Sequence, residues 1–232
     1  MGKFILLLII AVAVAATHQR VWEAVPQHWA PWEPLAVDDP LTPVSKWKLR
    51  QLADDRQGCL AALDSVPDGE FAYTALDDHE PVAGCPLENV VRVQGSEVDF
   101  NASFVVSCPL ALAWVIYERQ RLQPAAEEVF GSRVTSVEHY GSYSCRNVYG
   151  REAGRLSEHA TAEAFDVAGF GFAGGRRITL LGDWDDGGEA GEFLREARDG
   201  ACDIFGNVLG PDYNAAHADH FHFGMRGFRL CR

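Results

Sequence analysis

Six cysteines follow an apolar N-terminal run in this chain: Cys59, Cys85, Cys108, Cys145, Cys202 and Cys231. Their number is even and no two stand in a CxxC spacing. Three disulfides are therefore expected rather than a thiolate metal site. Fifteen pairings are possible, and the spacing does not choose among them. If neighbours paired in order, Cys59–Cys85 alone would contribute about 3–4 kcal/mol in the chain-entropy picture. Disulfides need an oxidising compartment, and the N-terminus supplies a route to one. Lys3 precedes an apolar run of 13 residues, 4–16, and Ala13-Val14-Ala15 fits a small-x-small cleavage site. Residues 1–16 read as a signal peptide, or as a retained N-terminal anchor. The expected location is exported: periplasmic or secreted, or tethered to the inner membrane.

Charge narrows the partners. Acidic residues outnumber basic ones 33 to 20, a formal net charge of −13. A nucleic-acid binder needs a basic footprint to neutralise phosphates, so that class is excluded. The same field repels an anionic bilayer, so no membrane contact is expected beyond the N-terminal segment. Apolar residues at 47% and charged residues at 23% are ordinary for a globular domain.

Residues 17–44 stand apart. Trp22, Trp29 and Trp32, half of the six tryptophans, alternate there with Pro26, Pro31, Pro34, Pro40 and Pro43. This proline density forbids a regular helix or central strand. Two roles fit: an extended arm whose tryptophans pack on the domain, or an aromatic anchor beside a retained membrane segment. Residues 45–232 read as one domain. Ser45 caps a predicted helix through Trp47, Leu49 and Leu52. Strands are predicted at 71–76, 90–93, 134–140, 163–172 and 177–181, with a final one at 219–225. Ala173-Gly174-Gly175 marks a hairpin turn. Pro109 opens a predicted helix that continues to about Leu122 and is ended by Pro124, with another turn or two at 125–130. Residues 189–205 have helical spacing. Strands joined by tight turns imply an α+β fold, a small antiparallel sheet with helices packed on it, stapled by disulfides.

The chemistry gathers in two short stretches. In His217-Ala-Asp219-His220-Phe-His222, His220 and His222 share a face if the segment is a strand. In Ser157-Glu-His159-Ala-Thr-Ala162-Glu-Ala164-Phe-Asp166, His159 lies in a turn and Asp166 on the strand that follows. An exported protein with oxidised cysteines must bind zinc through histidine and carboxylate. His159, Asp166 and His222 form a candidate His2Asp ligand set. Three protein ligands leave one tetrahedral position for water, the pattern of a catalytic zinc, whose water has a pKa near about 7. His220 is placed to shuttle a proton, with His217 as an auxiliary. Ser157 and Asp219 are the candidates for supporting the inner residues.

These motifs resemble the bacterial extensin-like C-terminal domain family over residues 35–232. The resemblance rests on Ser142-Tyr143-Ser144-Cys145-Arg146, Leu156-Ser157-Glu158-His159-Ala160, Leu209-Gly210-Pro211-Asp212-Tyr213-Asn214, the His217–His222 stretch and the closing Cys231-Arg232. More distantly, they resemble the zinc peptidases of the lysostaphin, D-alanyl-D-alanine carboxypeptidase and hedgehog-fold group. That resemblance implies one Zn2+ on His159, Asp166 and His222, catalysis by His220, and an arginine, best matched by Arg146, that assists substrate or oxyanion binding. It also implies peptidoglycan peptide stems as substrate. Two positions depart from the pattern. Ala162 stands where a glycine is usual. Asp219 stands where the carboxypeptidase branch has glutamate, and the His-x-x-His-x-His spacing is that of the endopeptidase branch. The expectation is an exported zinc peptidase, endopeptidase or carboxypeptidase. The alternative is a zinc-containing, non-catalytic module of the same fold that binds cell wall or protein.

Overall fold

In the computed structural model, residues 24–227 and 230–232 are described, together with Phe4, Ile5, Ile9 and Trp22. Apart from those last-named positions, the leader expected at residues 1–16 lies outside the described residues. Among the described residues no helix is long and apolar enough to cross a membrane.

The domain opens with α1 (Pro43–Gln51) and α2 (Arg56–Asp64). Then come strands β1 (Ala72–Ala75), β2 (His79–Val82), β3 (Cys85–Leu87), β4 (Val90–Gly95), β5 (Asp99–Phe100) and β6 (Phe104–Ser107). Helices α3 (Cys108–Tyr117) and α4 (Gln123–Phe130) follow, joined by a π-helical turn, Glu118–Leu122. The second half holds β7 (Val134–Gly141), β8 (Ala164–Phe172), β9 (Arg177–Thr179), α5 (Leu180–Asp183), α6 (Glu189–Cys202), β10 (Asn207–Leu209), β11 (Phe221–Gly224) and β12 (Leu230–Cys231).

Helix α3 explains the layout. Its ten residues are all buried, and a helix apolar on every side has to be surrounded. It packs against α2, the antiparallel sheet β1-β4-β6 and the main sheet, whose order is β12-β10-β11-β8-β7-β5. Strand β9 pairs with the far half of β8, on from β11. The main sheet is antiparallel except for the β10–β12 and β5–β7 pairs. From α3, Trp114 packs edge-on to Phe165 of β8, and Tyr117 to Phe223 of β11. The α+β expectation holds.

Period-two alternation orients the two central strands. Phe165 and Val167 of β8, and Phe221 and Phe223 of β11, face the core with at most 2% exposure. Asp166 and His222 therefore face away from it. Glu138 pairs with Gly169 and His139 with Val167, so Ala168 is an extra residue in β8. After this bulge the core positions become Phe170 and Phe172. A bulge that re-aims a strand beside a functional site is a recurrent device.

The disulfides are Cys59–Cys108, Cys85–Cys145 and Cys202–Cys231, so Cys59 does not pair with Cys85, and only the last bridge joins cysteines that are neighbours in order. The first ties α2 to the start of α3, and the third ties the end of α6 to β12. The second ties the β2–β3 hairpin to the loop after β7.

Several local expectations are corrected. Thr42, not Ser45, caps α1: its Oγ1 accepts the N–H of Val44 and Ser45, while Ser45 Oγ accepts the Thr42 N–H. This reciprocal box places Ser45 inside the helix. Pro124 does not end the helical run. The Gln123 N–H bonds Glu118 C=O five residues back, and Pro124 sits in the first turn of α4, where a missing N–H costs little. The strand predicted at 177–181 stops at Thr179 and becomes α5. The strand predicted at 219–225 begins only at Phe221 and is not the last, since β12 follows. In the arm, Ala30, Leu35 and Val37 are buried, while Trp22, Trp29 and Trp32 are about half exposed.

Candidate metal centre

His222 and Asp166 are direct cross-strand neighbours on β11 and β8. Such neighbours hold their Cβ atoms about 5 Å apart. His159 comes from a 3-10 turn, Glu158–Thr161, just before β8. Ser157 caps that turn by accepting the His159 N–H at 3.3 Å. The turn closes on Ala162, fully buried in the left-handed region at φ +54°. This is the position where the resemblance expects glycine. Alanine holds the same conformation at a cost of about 1 kcal/mol.

The three side chains converge. His159 Nε2 lies 3.1 Å from His222 Nδ1 and 3.2 Å from Asp166 Oδ2, and His222 Nδ1 lies 3.1 Å from Asp166 Oδ1. All their ligand atoms lie within 4.8 Å of one another. Ligand atoms at about 2.0–2.1 Å from a tetrahedral zinc are themselves about 3.3 Å apart, so the spacing fits. The outer nitrogens set the tautomers. His159 Nδ1 donates to Ser142 C=O at 2.6 Å, and His222 Nε2 donates to Glu158 Oε2 at 3.3 Å. Each ring thus turns its other nitrogen inward, toward Asp166. Two imidazole nitrogens and a carboxylate facing one point could hold a metal ion.

Glu158 is the residue that sequence reasoning missed. Its carboxylate is held by Asn207 Nδ2 at 2.9 Å and the Arg226 N–H at 2.7 Å. Room for it comes from Gly224, two residues beyond His222 on the same strand. A Cβ there would lie 2.6 Å from the Glu158 carboxylate. Arg226 in turn binds Glu163 and Thr161 through its guanidinium. Adjacency to His159 was the available signal.

Electrostatics follow from this packing. Burial alone would lower His222, but the hydrogen bonds and charges of Asp166 and Glu158 raise it to about 9. Burial alone would raise Asp166, yet hydrogen bonds from His159 and His222 hold it well below the usual carboxylate range. Glu158 is likewise lowered against its own burial by His222 and Asn207.

His220 stands just ahead of β11, with Nε2 3.7 Å from Asp166 Oδ2. Its Nδ1 donates to Asp219 Oδ1 at 2.8 Å, and Asp219 Oδ2 accepts from the Tyr140 hydroxyl at 3.2 Å. The Tyr140 ring packs edge-on against the imidazole. Asp219 is held below its ordinary range first by the His220 hydrogen bond. His217 lies 5.2 Å from the His220 ring, and its Nδ1 donates to Asn214 Oδ1 at 2.9 Å. Burial, then the charges of His222 and His220, push His217 down to about 4.

A cavity of about 460 Å³ opens over these groups, with Arg146, Tyr149, Tyr213 and His217 among its walls. Arg146 sits on the exposed loop after Cys145 and makes no ion pair among the described residues. Its carbonyl accepts the Ser157 N–H, which fastens that loop to the His159 turn. The structure therefore gathers His159, Asp166, His222, His220, His217, Arg146 and Ser157 around one cavity, while Asp219 lies outside its walls and reaches the site through His220; Ser157 acts through the backbone turn and not through the imidazole rings.

No curated protein and no solved structure matches the chain. A family model, that of the extensin-like protein C-terminus, matches residues 57–232. That span holds all three disulfides and every residue of the centre, and the chain belongs to the extensin-like protein C-terminal family.

Proposed function

We propose that this protein is an exported, zinc-dependent peptidase that acts on the peptide stems of peptidoglycan. The observation that carries the reading is the convergence of His159, Asp166 and His222, with one nitrogen of each imidazole and a carboxylate aimed at one point. This donor set suits zinc, and three ligands leave a position for chemistry. Bound there, zinc supplies Lewis acidity toward a carbonyl and toward water.

The chain's own residues supply the rest. His220 holds a proton on Nδ1 against Asp219, which leaves Nε2 free to take a proton beside the ligands and pass it to a leaving amine. Asp219 and Tyr140 fix that ring. Arg146, on the cavity wall, provides positive charge toward a carbonyl oxygen as it becomes an oxyanion. Kinship with the lysostaphin and D-alanyl-D-alanine peptidases, and with it the wall-peptide substrate, rests on the motif resemblance. The arrangement around His220 favours catalysis over a purely binding module, which has no use for an oriented proton carrier.

The test is digestion of purified wall fragments with and without chelator, read by mass spectrometry. Chelator-sensitive peptide products are expected, and their masses locate the scissile bond. Absence of products in both arms, with fragments still retained by the protein, would assign the binding role instead.

A further inference from the structure

We propose that the proline- and tryptophan-rich arm is a bilayer-facing surface, with Trp29 and Trp32 at the headgroup level of the membrane entered by the apolar run 4–16. The arm is not a loose tether. Thr42 Oγ1 donates to His28 C=O at 2.8 Å, and Lys48 Nζ donates to the carbonyls of Gln27 and Pro34 at 3.2 and 3.3 Å. Gln120 Nε2 donates to Val37 and Asp39 C=O at 2.6 and 3.0 Å. Ala30, Leu35 and Val37 are buried against the domain. The fold has thus docked this segment by its smaller side chains and its backbone. Its largest apolar groups keep about half of their surface open, Trp29 at 50% and Trp32 at 49% exposure. Trp32 is braced by the Trp22 ring at 4.2 Å.

Tryptophan is the side chain that best suits a membrane interface, with an apolar body and one N–H for the wet side. Chain length places the interface within reach. Five residues lie between Ala16 and Trp22, so the two are at most about 21 Å apart. Between Trp22 and Val37 the Asp, Glu, Lys and Arg residues are Glu23 and Glu33 alone. This face can approach a zwitterionic bilayer while the rest of an acidic protein is kept off an anionic one. The reading is independent of the metal centre.

The experiment places the full chain in phosphatidylcholine vesicles carrying lipid brominated near the headgroup. Tryptophan quenching is compared with that of Trp29→Phe, Trp32→Phe and the double variant. Bromolipid quenching is expected in the parent chain and is expected to fall stepwise, with most of it gone in the double variant. Protection from aqueous acrylamide should be about two-fold or more for these two positions, and smaller when anionic lipid is added. The single variants serve if the double variant does not fold. Equal quenching in all four proteins, or tryptophans as acrylamide-accessible with vesicles as without, overturns the proposal. So does membrane-extracted protein whose intact mass lacks residues 1–16. Protection that requires a second protein rather than lipid also overturns it.

Discussion

Replacing Glu158 with glutamine removes one negative charge behind His222 while keeping the side chain's shape. In the native arrangement that carboxylate accepts the His222 Nε2–H at 3.3 Å, and Asn207 and Arg226 hold it in place. Two full charges at that distance in a medium of effective dielectric about 20 interact by about 5 kcal/mol, which is a ceiling. Loss of an outer partner of a metal-bound histidine typically weakens metal binding about 10–100-fold, or about 1.4–2.8 kcal/mol. Zinc affinity of Glu158→Gln should fall within that range. The measurement is competition against a chromophoric chelator at neutral pH, with far-ultraviolet circular dichroism as the check on folding. The site also predicts a specific dissociation: the thermal midpoint of the metal-free variant should move much less than its metal affinity. An affinity within two-fold of the parent would refute the assignment of Nδ1 as the inward nitrogen of His222. So would a variant that loses affinity only in proportion to its loss of fold.

Other consequences are equally direct. His220→Ala should keep its metal and lose hydrolysis of wall peptides; hydrolysis at the parental rate would remove His220 from the proton path. Glu118 is 2% exposed beside Trp114 Nε1, and burial raises its carboxyl to about 7 from an ordinary 4.5. The unfolded chain therefore ionises first as pH rises, and stability falls between those values by about 3 kcal/mol. Glu118→Gln should recover a large part of that at about pH 8 and almost none at about pH 4, as read by denaturant unfolding; an equal gain at both would contradict the burial argument. Removing the fully buried Cys59–Cys108 bridge, which closes a separation of 49 residues, should cost about 4 kcal/mol in the chain-entropy picture, measurable as a lowered unfolding midpoint in Cys59→Ala/Cys108→Ala.

The inner residues were legible because they obey local rules. His159 opens a turn before a strand, Asp166 sits two positions past a small residue on that strand, and His222 alternates with two phenylalanines. Each signal is weak alone, and their convergence is a matter of strand pairing between segments 56 residues apart. The same alternation placed His220 on the face of His222, but the strand starts one residue later. His220 reaches Asp166 from a turn, held there by Asp219 and Tyr140. Tyr140 was not legible, because its partner lies 79 residues away. Ser142 was named only within the resemblance motif, and its part is played by a backbone carbonyl, which no side-chain pattern reports. Glu158 required knowledge of Gly224, whose missing Cβ makes the space. Pro124 misled because a π turn re-spaced the hydrogen bonds ahead of it. The cysteine pairing followed from the position of α3 and the hairpin, which spacing along the chain does not encode.

The central claim is best tested by elemental analysis of the purified, chelator-free protein alongside Asp166→Asn. About one zinc per chain is expected in the parent and far less in the variant. A parent chain that carries no transition metal, and takes up none when zinc is added, would contradict the account.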